Sequence, residues 1–409
     1  MATRTKAELS ELLHLFLDIG EAIHRAGGEI DRVEDTLSRL GAAYGARRTD
    51  VFAITSQLVV TMIFPGEIEL TRSRRIHGGE TDFATLEALN GLSRRVCASP
   101  MDAGELRTAL RSTRVTGGRL PSYLGSALAG GSFAVFFGGG ILDGLVAALF
   151  GLLICYLQGA LPRICPTRVV VSFTAALATG LGVSLLSLLG GLHADKIMIG
   201  DIMLLIPGIA LVTAIRNLLV GDTISGVLRL TESLVLAAAL AGGFMIALSL
   251  VPPGGTVTAP VSRPLVELLT GALGSLGFGM VFRLRARYLA PAVLGGLLNW
   301  GCYLLAYHLS GELFLSCLLA AALAGVLAEL FATRLRAPAT LFLVPALIPS
   351  IPGSCLYYTM QAAVGGDFAT ASAQGLLTAQ WALGIAGGIS IVVVMFTVIR
   401  GIRSRTSRA

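Results

Sequence analysis

Charge is what this chain has least of. Only 14% of its 409 residues are charged, against roughly a quarter in an ordinary soluble protein. The shortage is local. Residues 1–119 hold 16 Lys/Arg and 16 Asp/Glu, whereas residues 120–409 hold 15 and 9. The first stretch therefore reads as a soluble domain and the remainder as membrane. The basic surplus sits in loops between apolar runs and does not point to nucleic acid. Cysteines are few and scattered (Cys97, Cys155, Cys165, Cys302, Cys317 and Cys355), with no CxxC pair, so neither a disulfide framework nor a zinc site is supported. His24 and His77 lack spaced partners. No P-loop or HExxH motif occurs, and no nucleophile–base pair can be located. Metal, cofactor and catalytic chemistry are thus not expected. Met1 to Gly20 lacks the basic–apolar–cleavage pattern of a signal peptide.

What is abundant is long apolar segments. Ten approach the ~20 residues that cross a bilayer: roughly 121–139, 141–161, 168–190, 197–216, 226–251, 264–283, 287–308, 313–333, 339–364 and 375–400. Arginines mark alternate ends. Arg107, Arg111, Arg114 and Arg119 precede the first. Arg163 and Arg168 follow the second, Arg216 and Arg229 bracket the loop after the fourth, and Arg283, Arg285 and Arg287 follow the sixth. Arg334 and Arg336 follow the eighth and Arg400 to Arg408 the tenth, while the other side has only Lys196 and Arg263. The positive-inside bias then places both termini and the soluble domain in the cytoplasm.

Within these runs one tripeptide occurs twice. Ile206-Pro207-Gly208 and Ile351-Pro352-Gly353 are 145 residues apart. The register also aligns Leu211 with Leu356 and Gly221-Asp222 with Gly366-Asp367. Proline removes a helical hydrogen bond and glycine adds backbone freedom. In lipid such a break survives only where protein or a water-filled cavity surrounds it. Paired interruptions at matching positions of two repeats point to a transporter's binding site; a pair of proline kinks used for packing is the alternative. Five spans per repeat invert the second copy. The expected fold is a polytopic α-helical membrane protein of ten transmembrane helices in two inverted five-helix repeats, 120–260 and 261–409, behind an N-terminal cytoplasmic α+β domain, 1–119.

Each break leaves a half-helix whose N-terminal end faces the centre, with free N–H groups and partial positive charge suited to a carboxylate. Candidate substrate contacts are Pro207, Gly208, Arg216, Asn217, Pro352, Gly353, Ser354, Tyr357 and Gln361. Asn299-Trp300 sits mid-span and serves either substrate contact or an interhelical hydrogen bond with packing. Pro345, Pro349 and Ser350 punctuate the second break further. Intramembrane carboxylates are functional hypotheses. Proton-coupling candidates are Asp201, Asp222, Glu232, Glu329 and Asp367. Interfacial ion pairing competes with that role for Asp201 beside Lys196, for Glu232 one turn from Arg229, and for Glu329 near Arg334. Glu267 lies near an outer end.

In residues 1–119, helical spacing runs from Leu9 to Ala26 and again from Val33 to Tyr44. Strands follow at 51–55, 58–64 and 68–73 with a turn at Pro65-Gly66-Glu67, then helices from Asp82 and Pro100-Met101-Asp102. Glu29, Arg32 and Asp35, with Glu34 between, could share a helical face as a polar ligand site. A solvated helix start with ion pairs, each worth about 0.2–0.5 kcal/mol, is the other reading.

The chain resembles the threonine/serine exporter (ThrE-like) family over nearly its whole length. The likeness rests on Gly27-Gly28-Glu29 with Arg32-Val33-Glu34-Asp35-Thr36, then Thr71 to Ile76 and Asn90-Gly91-Leu92-Ser93-Arg94. It continues in Ile206-Pro207-Gly208 through Ala214 to Leu219, Gly221-Asp222, Ser225-Gly226 and Ile351-Pro352-Gly353-Ser354. Asn217 stands where relatives often carry Asp. The resemblance implies a multi-pass transporter of the cytoplasmic membrane that exports small amino acids by antiport with protons, with no enzyme activity and with homo-oligomers open. Some two-chain members are linked to dicarboxylate export instead, and both substrate types carry a carboxylate. A membrane-anchored sensor or hydrolase acting through residues 1–119, and a channel, are the readings from other classes.

Overall fold

The computed structural model describes residues 5–79, 81–113, 118–165, 167–252 and 263–406. Arg114, Arg408 and the expected repeat boundary at 260/261 lie outside the described residues. The chain divides into two compact units. The first is Met1–Gly118 together with the turn Phe282–Arg285; the second is Arg119–Val281 with Ala286–Ala409.

The first unit begins with α1 (Lys6–Arg25) and α2 (Ile30–Ala43), continues through strands β1 (Arg48–Ile54), β2 (Gln57–Phe64) and β3 (Ile68–Arg75), and ends with α3 (Phe83–Ala98) and α4 (Ala103–Ser112). The strands form an antiparallel meander, β1-β2-β3, with Val60 opposite both Val51 and Arg72. The hairpin reverses through left-handed Gly66 and Glu67. Alternation in β2 sends Leu58, Val60, Met62 and Phe64 to the core. There they join Leu13, Phe16, Leu17, Ile19 and Ile23 of α1 and Val33, Leu37 and Leu40 of α2. Thr5 and Glu8 close a reciprocal capping box that starts α1. Left-handed Gly27 permits the sharp turn into α2.

The second unit is helical: α5 (Leu120–Phe136), α6 (Ile141–Ala160), α7 (Arg168–Ser187), α8 (Ala194–Ile202), α9 (Gly208–Val220), α10 (Thr223–Leu250), α11 (Pro264–Val281), α12 (Ala286–Ser310), α13 (Leu313–Leu335), α14 (Thr340–Leu347), α15 (Gly353–Val364) and α16 (Phe368–Thr406). Among the described residues, seven helices are individually long and apolar enough to cross a membrane, and the bent pair α14–α15 makes an eighth if it counts as one span, so the protein is a polytopic helical membrane protein. The expected fourth span, 197–216, is not one helix. It is α8 and α9 joined by Met203–Pro207, too short singly to count as spans.

The helix pairs recur with the 145-residue offset. α5 packs on α6 as α11 on α12, and α7 on α10 as α13 on α16. Likewise α9 packs on α10 as α15 on α16, and α6 on α8 as α12 on α14. Across the halves, α9 meets α16 as α15 meets α10, and α5 lies along α11. The α5–α11 seam is narrow because it is made of glycine: Gly125 abuts the Gly277 carbonyl, and Gly277 abuts the Gly125 carbonyl. Small residues allow backbones this close, which is how helices gain contact in lipid.

Candidate functional site: the crossing of two helix breaks

Pro207 and Pro352 are the N-caps of α9 and α15, with matching backbone angles (φ −79°, ψ 42° and φ −74°, ψ 50°). Neither proline can continue the preceding ladder. Before Pro207, Leu204 and Leu205 donate to the Asp201 and Ile202 carbonyls in tight turns. Before Pro352, residues Ile348–Ser350 form a short 3-10 turn, and the helix pair bends by 54°. The first bonds of the restarted helices are Leu211 N–H to Pro207 C=O (2.9 Å) and Leu356 N–H to Pro352 C=O (3.0 Å). The N–H groups ahead of them have no acceptor in the same helix, as at any helix start.

The two breaks lie against each other. A Cβ on Gly208 would overlap Ile351, and one on Gly353 would overlap Met203. Beside the crossing is a small apolar cavity of about 10 Å³, lined by Ile202 and Ile206, by Ala237, Leu240 and Ala241, and by Leu356 and Tyr357. It has room for about one water.

Polar groups around the crossing differ between the halves. On the second break, Asn299 (0% exposed) donates from Nδ2 to Ser350 Oγ at 2.6 Å. Ser275, fully buried, lies against Gly296 in the same region. On the first, Asp201 is 0% exposed and neither carboxyl oxygen has a hydrogen-bond partner among the described residues. Toward the start of α8, Lys196 pairs with Asp195 at 3.1 Å. Buried Asp143 caps Gly140 N–H (2.7 Å) and accepts from His193 N–H (2.8 Å), with His193 Nδ1 2.9 Å from its other oxygen.

Other expected residues take different places. Tyr357 is buried in the cavity wall, and Ser354 and Gln361 are half-buried on α15. Arg216 is buried but stands eight residues beyond Gly208, roughly 12 Å along the helix. Asn217 works through its carbonyl, which accepts from Asp222 N–H (2.9 Å) while Gly221 turns left-handed to end α9. Asp222 then caps α10 by accepting from Ser225 N–H (3.3 Å), and Asp367 caps α16 by accepting from Thr370 N–H (3.1 Å). The repeated Gly-Asp thus has a local structural reason, a helix stop and restart. The Thr370 side-chain hydrogen bond, and then its backbone N–H, lower the exposed Asp367 carboxyl from its ordinary value. Glu232 is exposed on α10 and Glu329 half-buried on α13. Trp300 Nε1 donates to Glu267 Oε2 (3.3 Å), and its ring stacks on Tyr303; this is an interhelical hydrogen bond with packing.

In the first unit, Glu34 accepts from Ala53 N–H (3.0 Å), which ties β1 to α2. Asp35 pairs with Arg39 (2.9 Å), four residues on, rather than with Arg32. Glu29 is the N-cap of α2 without a side-chain cap bond, and Arg32 is half-buried with its Nε unpartnered. Residues 29–35 therefore include a strand tether and a surface pair.

Sequence reasoning missed Ser275, Gly130, Gly200 and the Asp143–His193 contact. Only Asp143 carried a local signal, an acid three residues after the Gly140 helix start. The others matter through residues far away in sequence.

Residues 14–251 match the family model described as "Putative threonine/serine exporter", and residues 267–395 match a second, "Threonine/Serine exporter, ThrE". A curated threonine/serine exporter of Corynebacterium glutamicum is 22% identical over 406 residues, covering 92% of this chain and 83% of the relative. No solved structure matches. With both family regions fused in one chain, the protein belongs to the threonine/serine exporter (ThrE) family of membrane transporters and is not an enzyme.

Proposed function

We propose that this protein exports threonine and serine across the cytoplasmic membrane in exchange for protons, by alternating access at the crossing of its two breaks. One observation carries the reading: each break packs on the other, Gly208 on Ile351 and Gly353 on Met203. A site shared by two related halves can open to either side as one half rocks against the other. The recurring helix pairs and the 145-residue register support ten spans in two inverted repeats, 120–260 and 261–409. In that arrangement α8–α9 and α14–α15 each cross once as broken spans, and both termini are cytoplasmic. The helix starts at Gly208 and Gly353 would receive the substrate carboxylate, with Asn299, Ser350 and Ser354 beside it. Residues 1–119 form the cytoplasmic regulatory or stabilising part.

The packed crossing has no room for an amino acid, so binding must separate the breaks. Backbone N–H groups at the two helix starts would be exposed by that separation. The test is transport by the purified protein in liposomes against a panel of amino acids and dicarboxylates, with and without a pH gradient. Threonine or serine movement, stimulated by the gradient, is expected. Movement of dicarboxylates alone, or gradient-independent leakage of both classes, would overturn it.

A further inference from the structure

We infer that Asp201 is the group that carries the coupled proton, an assignment that rests on the exporter reading above. Asp201 lies in the last turn of α8, just before the first break, and is fully buried. Neither oxygen has a hydrogen-bond partner among the described residues. An ionised carboxylate without a partner costs many kcal/mol in an apolar surrounding, so the group is neutral here.

The burial is built by close backbone packing. α8 crosses α5 at two glycines. A Cβ on Gly200 would stand 2.5 Å from the Ala134 nitrogen and 2.7 Å from the Gly130 carbonyl oxygen. A Cβ on Gly130 would stand 2.7 Å from Asp201 Oδ1. The carboxyl therefore occupies space that exists only because residue 130 has no side chain. The matching position of the second repeat, 145 residues on, is Ala346, so only one half carries the acid.

Ionisable groups on the elements packed against α8 are few. α8 packs against α5, α6, α7 and α15. On α5 there is Tyr123, near the helix start. On α6, Asp143 is held by Gly140 and His193, and Cys155 and Tyr156 lie toward the other end. α7 has Arg168 at its first residue. α15 brings Cys355, Tyr357 and Tyr358. On α8 itself Asp195 and Lys196 pair with each other.

With α8 packed on α5 the carboxyl keeps its O–H bond. When the two helices part and water enters, that bond breaks, the proton passes to water and Asp201 is left as carboxylate. A proton taken from water on the other side restores the neutral acid and lets the helices close. Asp201 couples because the packed arrangement admits only its protonated form.

The experiment uses the full chain in liposomes, wild type beside Asp201→Asn, which mimics the neutral acid. Threonine–threonine exchange without a gradient should survive in the variant. Accumulation driven by a pH gradient should fall about tenfold or more, a coupling loss of the usual size. Infrared difference spectra supply a readout independent of substrate. Wild type should show the carbonyl band of a protonated carboxylic acid, absent in Asp201→Asn and shifted in Asp201→Glu. Wild-type response of Asp201→Asn to the gradient, a sodium gradient replacing the proton gradient, or no carboxylic-acid band in wild type would each overturn the assignment. If wild type moves none of the panel, the exporter reading fails instead, while the band still decides whether Asp201 holds a proton.

Discussion

Gly208 lies directly against Ile351, at a distance no other residue could keep. The contact has a counterpart 145 residues away, Gly353 against Met203. If these breaks form one site, removing either should harm transport more than folding. Pro207→Ala and Pro352→Ala should cut the transport rate in liposomes without lowering thermal stability in detergent, because each proline is an N-cap, where alanine adds a backbone donor and removes no hydrogen bond. Gly208→Ala should act differently, overpacking the crossing at a cost of about 1–3 kcal/mol. Unchanged affinity and rate in both proline variants would reduce the breaks to scaffolding.

Ser350→Ala should strand the buried Asn299 amide, which now donates to Ser350 Oγ at 2.6 Å. Interhelical hydrogen bonds in membranes are worth about 0.6 kcal/mol on average and up to about 1.7. A fall in melting temperature of that modest size is expected, with a larger fall in substrate affinity. Melting that drops while affinity holds would show the pair to be structural.

The inverted arrangement is open to a labelling test. In a cysteine-free background, cysteines at Leu189 and Phe368, both highly exposed, should react with an impermeant reagent added to intact cells. Cysteines at Ile164 and Arg336 should react only after permeabilisation. Labelling of Ile164 from outside would break the ten-span topology.

In the first unit Asp82 does two jobs. It caps α3 through Thr85 N–H and accepts from Arg283 at 3.0 Å, while Phe83 N–H donates to the Phe282 carbonyl (2.9 Å). Asp82→Ala should destabilise this unit by about 0.5–2 kcal/mol, the usual cost of a lost cap. Asp82→Asn should keep the cap and lose only the partly exposed ion pair, worth at most about 1 kcal/mol. Hydrogen exchange of the α3 amides in the full chain reads both. Equal exchange in the two variants would show that the charge, not the cap, is what Asp82 supplies.

The sequence by itself determined the parts that follow from local chemistry. Scarce charge and long apolar runs fixed a membrane protein, since lipid forces backbone groups into helices. The β-branched and aromatic residues of 58–64 and the Pro65-Gly66-Glu67 turn placed the hairpin, and the family motifs named the family. Pro207 and Pro352 marked where helices must stop, because a missing N–H is a property of one residue. The tertiary structure decided what those stops are for. That Gly208 meets Ile351 and that Asn299 reaches Ser350 depend on how separate helices pack. Asp201 shows the difference most plainly. In the sequence it is an acid five residues from a lysine and open to an ion pair. In the fold Lys196 turns to Asp195, and the space left by Gly130, 71 residues earlier, takes in a carboxyl that has no hydrogen-bond partner among the described residues. Burial is a property of the whole packing and has no local signature.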